Sequence, residues 1–325
     1  MAVTLRDVAK RTGVSHATVS FALNARMDVN IPATTRQRII EAATEMGYRP
    51  NRAARALMKG KTQQIALWMP SPRNPYYGCV FETVFDALRQ RDHDIAYAPA
   101  DYVNHSPFPS DWPVDGLIAW DTGPLLAKEA IPTLPVVSVG ALVDERFDSV
   151  RTDMRAGTWA ALDHLRSVGC KRIAHLASLS GVPPRNDPRT DAFCLEMEKR
   201  GIEPELIVAG NPGAQAVATA VSAHIERRGA PDGLFCRSDL VALPAMKALQ
   251  RAGLRIPQDV AVVGFDGLSF LDSINPSLTS VEQPVEQMAA LAVEKLFARM
   301  NDAEIPVWME TLQPRLVVRE SSDRG

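Results

Sequence analysis

The chain has 325 residues, long for one domain and suited to two or three. Its 46% hydrophobic and 23% charged residues form an ordinary globular balance, which excludes disordered, collagenous and disulfide-scaffold classes. The net charge of −2 hides a division: residues 1–60 carry ten Lys and Arg against four Asp and Glu, a net +6, and the remainder carries −8. A basic head on an acidic body suits a nucleic-acid binder with a separate second function. The start, MAVTLRDVAK, is polar and unlike a secretory signal. Apolar runs such as Ile65–Met69 and Pro135–Val139 are strand-length, far below the roughly 20 residues of a membrane span. A soluble cytoplasmic protein with no membrane partner is expected. Cys79, Cys170, Cys194 and Cys236 stand far apart without a C-x-x-C pair, so no structural zinc site or disulfide framework is indicated, and a reducing compartment fits.

The head opens on Thr4-Leu5-Arg6-Asp7, a capping box made imperfect by an aspartate shorter than the usual Glu or Gln. Leu5, Val8 and Ala9 give the first helix its apolar face, and Gly13 ends it. Ser15 can cap a second helix running to about Asn24. Val19 and Leu23 share its inward face, leaving His16, Ala17, Ser20 and Phe21 on other faces. Pro32 suits the start of a third helix with the stripe Ile39, Ala42, Ala43 and Met46, ended by Gly47. Two short helices around a glycine turn, with a third in support, describe a helix-turn-helix whose second helix enters the major groove. A small bundle packing on another protein is the alternative.

These residues resemble the head of the lactose-repressor (LacI/GalR) family. The carrying motifs are Val3-Thr4-Leu5-x-Asp7-Val8-Ala9, Gly13-Val14-Ser15-x-x-Thr18-Val19-Ser20-x-x-Leu23-Asn24, Thr35-Arg36-x-Arg38-Ile39 and Gly47-Tyr48-x-Pro50-Asn51. A short insertion around Asp28–Ile31 departs from the shortest members. The resemblance implies DNA contacts from Thr4, Ser15, His16, Ala17, Thr18, Ser20, Phe21 and Asn24. It also implies a hinge helix within Asn51–Leu57, with Asn51 as cap, Ala54 at the duplex and Leu57 as a minor-groove wedge. About seven residues are too few for a helix to stand alone in water, so the hinge should need DNA and a partner subunit to hold it. Many members carry an arginine that reads guanine where this chain has Phe21. Phenylalanine cannot make that bidentate contact, so a different operator sequence is expected.

After Gly60-Lys61-Thr62 short apolar runs alternate with helical segments. Strands are expected at Ile65–Met69, Ile95–Ala98, Gly116–Trp120, Val136–Val139, Ile173–Ala177, Leu206–Ala209, Leu234–Cys236 and Val260–Gly264. Helices are expected at Tyr77–Arg89, Ala156–Val168, Asp191–Arg200, Ala214–Arg227, Val241–Ala252 and Val285–Met300. The alternation argues for two halves, each a parallel sheet wrapped in helices, with a binding cleft near the carboxyl ends of the strands. The stretch DYVNHSPFPSDWPV after Ala100 has three prolines and no helical stripe, so an irregular crossover is expected at one edge of the first lobe.

This body too resembles the family, whose effector domain is similar to periplasmic sugar-binding proteins. Val114-Asp115-Gly116-Leu117-Ile118, Asp153-x-x-x-Gly157, Arg189-x-x-x-Phe193, Pro231-Asp232-Gly233 to Ser238-Asp239, Val262-Val263-Gly264-Phe265-Asp266 and Leu278-Thr279-Ser280-Val281-x-Gln283 carry it. By position the resemblance implies effector contacts from Arg189, Asp266 and Ser238, and from Asn74, Tyr76 and Tyr77 after the first strand. The usual Asn-Asp pair is here Ser238-Asp239, and the second acid after Asp266 is Gly267. Arg237, if it faces the cleft, would suit an anionic ligand such as a sugar phosphate or sugar acid.

Enzyme readings find little support. H-E-x-x-H, G-x-S-x-G and G-x-G-x-x-G are all missing. Gly60-Lys61-Thr62 resembles the end of a phosphate-binding loop, but Arg55 stands where its first glycine should. No catalytic residue, metal or cofactor is expected. The expected fold is α/β: an N-terminal all-α helix-turn-helix head at 1–50, a hinge at 51–61, and a two-lobed periplasmic-binding-protein-like effector and dimerisation domain with parallel sheets at 62–325. The expected function is a homodimeric transcription regulator, a repressor, that reads a near-palindromic double-stranded DNA operator. A small-molecule effector, a sugar or sugar derivative, would control it. The alternative is a sugar-sensing module whose basic head contacts a protein.

Overall fold

Helix α1 (Leu5–Thr12) starts at Thr4 and ends at Gly13, which adopts φ +68 and donates its N–H to the Ala9 carbonyl at 2.9 Å. The computed structural model describes residues 3–23, 29–48, 60–102, 108–109, 111–129, 133–178 and 183–325. The Thr4–Asp7 box is complete. Asp7 Oδ2 accepts from the Thr4 N–H at 2.8 Å and the Thr4 hydroxyl at 2.7 Å, while Thr4 Oγ1 accepts from the Asp7 N–H at 3.4 Å. The shorter acid still closes the box, because it reaches back to a residue only three positions away. Thr4→Ala should speed amide exchange at Val8 and Ala9 about fivefold, the effect of a cap worth about 1 kcal/mol. Unchanged exchange would show that the Asp7 bond to the Thr4 N–H carries the cap alone.

Helix α2 (His16–Leu23) follows the tight turn, with Ser15 Oγ accepting from the Thr18 N–H at 3.1 Å. Helix α3 (Ala33–Glu45) follows Pro32. Val8, Val19, Ala22, Ile39 and Ala43 form the buried centre of this unit, with Leu23 and Met46 packed against it. The chain divides into two compact units, Met1–Thr62 and Gln63–Gly325.

The second unit holds two six-stranded sheets. Its elements run β1 (Gln64–Met69), α4 (Pro75–Arg89), β2 (Asp94–Pro99), β3 (Gly116–Trp120), the short α5 (Gly123–Leu126), β4 (Val136–Gly140) and β5 (Asp148–Thr152). They continue α6 (Met154–Ser167), β6 (Ile173–Ser178), α7 (Pro188–Lys199), β7 (Glu205–Ala209), α8 (Ala214–Arg228), β8 (Gly233–Cys236), α9 (Asp239–Arg251) and β9 (Ala261–Asp266). The last are β10 (Thr279–Glu282), α10 (Val285–Asn301), β11 (Met309–Leu312) and β12 (Arg315–Val317). The first sheet has the order β11-β5-β4-β3-β1-β2 and is parallel throughout. The second has the order β12-β10-β9-β8-β6-β7 and is parallel except for antiparallel β12.

Each expected strand and helix of the body appears within a few residues of its expected ends, but β5, β10, β11 and β12 were not anticipated. The two lobes are also not successive halves. After β10 the chain returns to the first lobe as α10 and β11, then re-enters the second as β12. Three connections therefore join the lobes, near Asp153, Pro284 and Gln313. The polar strand β5 is held by α10. Arg299 grips the buried Asp148 with Nε on Oδ2 and Nη2 on Oδ1, both at 2.9 Å, and the Trp308 N–H donates to the same carboxylate.

Alternation along β1 divides the first lobe's core. Ile65, Leu67 and Met69 pack with Val80, Val84 and Leu88 of α4 and Leu296 of α10. Ala66 and Trp68 face the other way, toward Phe108 and Leu126. Among the described residues between β2 and β3 there is no helix. Phe108 and Trp112 cover Trp68 in its place, with the Trp68 and Phe108 rings 5.8 Å apart. Residues 103–107 and 110 of this crossover lie outside the described residues.

Candidate functional site

In the second unit, strands of both lobes deliver side chains from their carboxyl ends into one cleft, a cavity of about 190 Å³. Asp121 follows β3, Arg237 and Ser238 follow β8, and Asp266 ends β9. The amino ends of α4 and α7 add Asn74, Tyr76 and Tyr77 and the pair Asp187 and Arg189. All six residues anticipated for the effector, Asn74, Tyr76, Tyr77, Arg189, Ser238 and Asp266, line this cleft.

Their local roles differ. Asn74 caps α4, its Oδ1 accepting from the Tyr76 N–H at 3.1 Å. Buried Tyr76 donates its hydroxyl to Gln283 Oε1 at 3.2 Å, and Gln283 Nε2 donates to Asp266 Oδ1 at 2.9 Å. Tyr77 donates to Asp121 Oδ2 at 3.2 Å, while Asp121 Oδ1 accepts from the Ala141 N–H at 2.6 Å. Asp187 caps α7 and binds Arg189 through two parallel bonds, Nε to Oδ1 at 2.9 Å and Nη2 to Oδ2 at 2.8 Å. Arg237 Nε donates to the same Oδ2 at 2.6 Å, and Arg189 Nη1 stands 3.5 Å from Asp266 Oδ1.

Two of the acids sit in strained backbone. Asp121 has φ +52 and Asp266 φ +116, conformations that cost an L-residue energy and persist where the surroundings over-determine them. The room for Asp121 comes from Gly140, where a Cβ would meet the carboxylate at 2.2 Å.

Burial sets the protonation of the group. It pushes the Asp121 carboxyl up, against the Ala141 N–H, and raises the Tyr76 and Tyr77 hydroxyls far enough that they remain donors. Asp187 is also pushed up by burial, but Arg189 and Arg237 outweigh this and hold it well below the usual carboxylate range. Burial raises Asp266 to about 6, with Arg189 opposing. Behind it, Asp239 is raised to about 8 by burial first and by the charge of Asp266 second.

Asp239 accepts from the Gly267 N–H at 2.8 Å, the Leu268 N–H at 3.0 Å and the Ser280 hydroxyl at 2.6 Å. A carboxyl raised on folding binds its proton more tightly in the native state. It therefore favours folding at low pH, and that contribution is lost as pH climbs from the ordinary 3.8 to about 8. Asp239→Asn removes this titration and keeps an acceptor for the two backbone donors. Its denaturation midpoint should rise relative to the native chain's between pH 6 and 9. Parallel pH profiles would show that Asp239 does not titrate there.

In the first unit, His16 and Ala17 are exposed at the start of α2, Thr18 and Phe21 are half-buried, and Thr4 is exposed at the α1 cap. The hydroxyls of Thr4 and Ser15 are engaged in their caps. Ser20 corrects an expectation: it is buried, not turned outward. Helix α2 packs on both α1 and α3, so its covered arc is wide enough to take in this small side chain. Asn24, Asn51, Ala54, Leu57 and the hinge segment lie outside the described residues.

Asp121, Asp187, Tyr102 and Gln283 line the cleft without having been anticipated as contacts. Gln283 stood in a motif already singled out. Asp121 and Asp187 bore the weaker signals of an acid closing an apolar strand and an acid before a Pro-initiated helix. Arg237 faces the cleft, as an anionic ligand would require, yet Asp187 already engages it. Among the described residues no group of three or more His, Cys, Asp or Glu is placed to hold a metal ion, and no helix is long and apolar enough to cross a membrane.

Comparison with known proteins places both units. A family model for bacterial regulatory proteins, lacI family, matches residues 4–51, and one for a periplasmic binding protein-like domain matches residues 162–322. The ribose operon repressor of Halalkalibacterium halodurans is 31% identical over 99% of this chain and 98% of its own length. The transcriptional regulator PtxS of Pseudomonas plecoglossicida is 31% identical over 98% of this chain and 96% of its own. Among solved structures, the Lac repressor dimer bound to operator and an anti-inducer superposes with a TM-score of 0.83 over 99% of both chains at 22% identity. The regulator CelR in complex with cellobiose gives 0.68 at 27% identity, over 98% of this chain and all of the other.

Proposed function

The chain belongs to the lacI family of bacterial regulatory proteins, and from that membership we propose a homodimeric, operator-binding repressor whose DNA affinity is set by a small molecule in the cleft. It works by binding and not by catalysis. The observation that carries the effector half is the cleft itself. Two arginines, three aspartates and the tyrosines converge there from the strand ends and helix starts of both lobes. A ligand bridging them favours one angle between lobes joined by three connections. That angle is then coupled to how the two heads present themselves to DNA.

For the DNA half, the exposed His16 and Ala17 supply direct readout with Phe21, and the basic residues supply phosphate contacts. Thr4, Ser15, Thr18, Asn24, Asn51, Ala54 and Leu57 complete the proposed DNA-contacting set. Ser20 belongs to the same proposed set as its one buried member among the described residues. The relatives' own names, a ribose operon repressor and a cellobiose-bound regulator, support a hydroxyl-rich effector.

The test is selection of random duplexes by the full-length protein, with and without candidate metabolites. A two-fold symmetric consensus is expected, because a symmetric dimer reads matching half-sites. Its affinity should change with one metabolite. Failure to return a consensus under every condition would overturn the operator reading, and a consensus indifferent to every metabolite would overturn the effector reading.

A further inference from the structure

The charged side chains of the cleft are already matched against one another. Among the described residues it is lined by Asp121, Asp187 and Asp266 against Arg189 and Arg237. Asp187 takes two bonds from Arg189 and one from Arg237, at 2.9, 2.8 and 2.6 Å. The remaining arm of Arg189, Nη1, points to Asp266 at 3.5 Å. Each guanidinium therefore has a carboxylate partner, and one carboxylate is in excess. An incoming carboxylate or phosphate would have to displace Asp187 from both cations while facing Asp121 and Asp266 across a poorly screened cavity.

Hydroxyl groups meet no such barrier, because each can donate and accept. Asp121 and Asp266 are acceptors, and Arg237 keeps donors beyond the one given to Asp187. The buried Tyr102 hydroxyl has no hydrogen-bond partner among the described residues and lines the same cavity. The volume of about 190 Å³ lies below the roughly 300–1,000 Å³ of drug-sized sites, which suits one sugar ring.

Resting on the effector cleft proposed above, we infer that Asp187 is its specificity-determining residue: by engaging both guanidiniums it sets the site for an uncharged polyhydroxyl ligand and against sugar acids and sugar phosphates. Its removal would leave two cations available to an anion. Asp187→Asn keeps the cap of α7, since an amide oxygen accepts the Arg189 N–H as a carboxylate does.

The experiment titrates the full-length protein calorimetrically with matched probes: D-ribose and ribose 5-phosphate, and D-glucose with glucuronate and glucose 6-phosphate. Inorganic phosphate serves as the bare anion, and a thermal melt confirms that each variant is folded. The native chain should bind at least one neutral sugar at least about tenfold more tightly than its anionic counterparts. Asp187→Asn should shift that ratio toward the anions by at least about tenfold and gain phosphate binding. Arg237→Ala, which removes a cation and a hydroxyl donor and leaves Asp187 with Arg189, should weaken neutral sugars and bind anions no better than the native chain does. Anions binding the native chain as tightly as neutral sugars would overturn the inference. So would an unchanged ratio in Asp187→Asn, or a gain of anion binding in Arg237→Ala should the first variant not fold. If no sugar binds the native chain but Asp187→Asn gains the anions, the choice of a neutral sugar as effector falls and the exclusion of anions by Asp187 stands.

Discussion

Arg189→Ala should abolish binding of any neutral sugar that the native cleft takes and destabilise the second unit by about 3–5 kcal/mol, the usual cost of breaking a buried ion pair from one side. Arg189 is 8% exposed and Asp187 7%, so water does little to replace the lost partner. The deletion removes two charge-assisted bonds from Asp187, leaving Arg237 alone to balance it, and takes from Asp266 its cation 3.5 Å away. It also empties the space over the Phe265 ring, whose centroid lies 5.3 Å from the guanidinium carbon. Arg189→Lys separates charge from geometry. A lysine keeps the positive charge but cannot form the parallel fork, so part of the stability should return while the affinity does not. Urea midpoints read the first effect and calorimetry the second. An alanine variant with an unchanged midpoint and affinity would make Arg189 an incidental arginine.

How the sequence foreshadowed this site follows from where each residue sits. Arg189 and Asp266 were legible because each belongs to a spaced motif, and the fold then carried both to one cavity. Asp187 and Asp121 were not, because their significance lies in partners far along the chain or folded back upon it. Arg237 stands fifty positions from the aspartate it binds, and Gly140 makes room for Asp121 from the next strand. The same limit explains the missed strands. β5 reads DSVRT and β11 reads METL, neither an apolar run nor a clean alternation. They are strands because Arg299 neutralises Asp148 and because parallel pairing joins Met309–Leu312 to Ser149–Thr152. In the head, each cap, the turn and each helix's apolar stripe are set by residues a few positions apart, so they could be anticipated. Ser20 was misjudged because its burial depends on two neighbouring helices at once.

Operator affinity should fall about 10³- to 10⁵-fold between roughly 50 and 200 mM salt, the behaviour of a protein neutralising about six to ten phosphates. Each head brings a net +6 to the duplex, while the −8 of the remaining chain is repelled by it. The electrostatic attraction thus comes from the heads, and two of them in a dimer reach that number of contacts. His16 then separates reading from holding. It is exposed in the first turn of α2, the part of a recognition helix that reaches base edges. If it reads a base, His16→Ala should cost about 1–3 kcal/mol on the preferred sequence, relax the consensus at one position in each half-site, and leave the salt slope unaltered. If it holds a phosphate, the same variant should weaken all sequences alike and flatten the slope by about one. Phe21, half-buried five residues on, can offer only apolar contact, so the base beneath it should be a thymine presenting its methyl group. A salt slope near zero would overturn the DNA reading altogether. A head that binds without releasing counterions is meeting a protein surface.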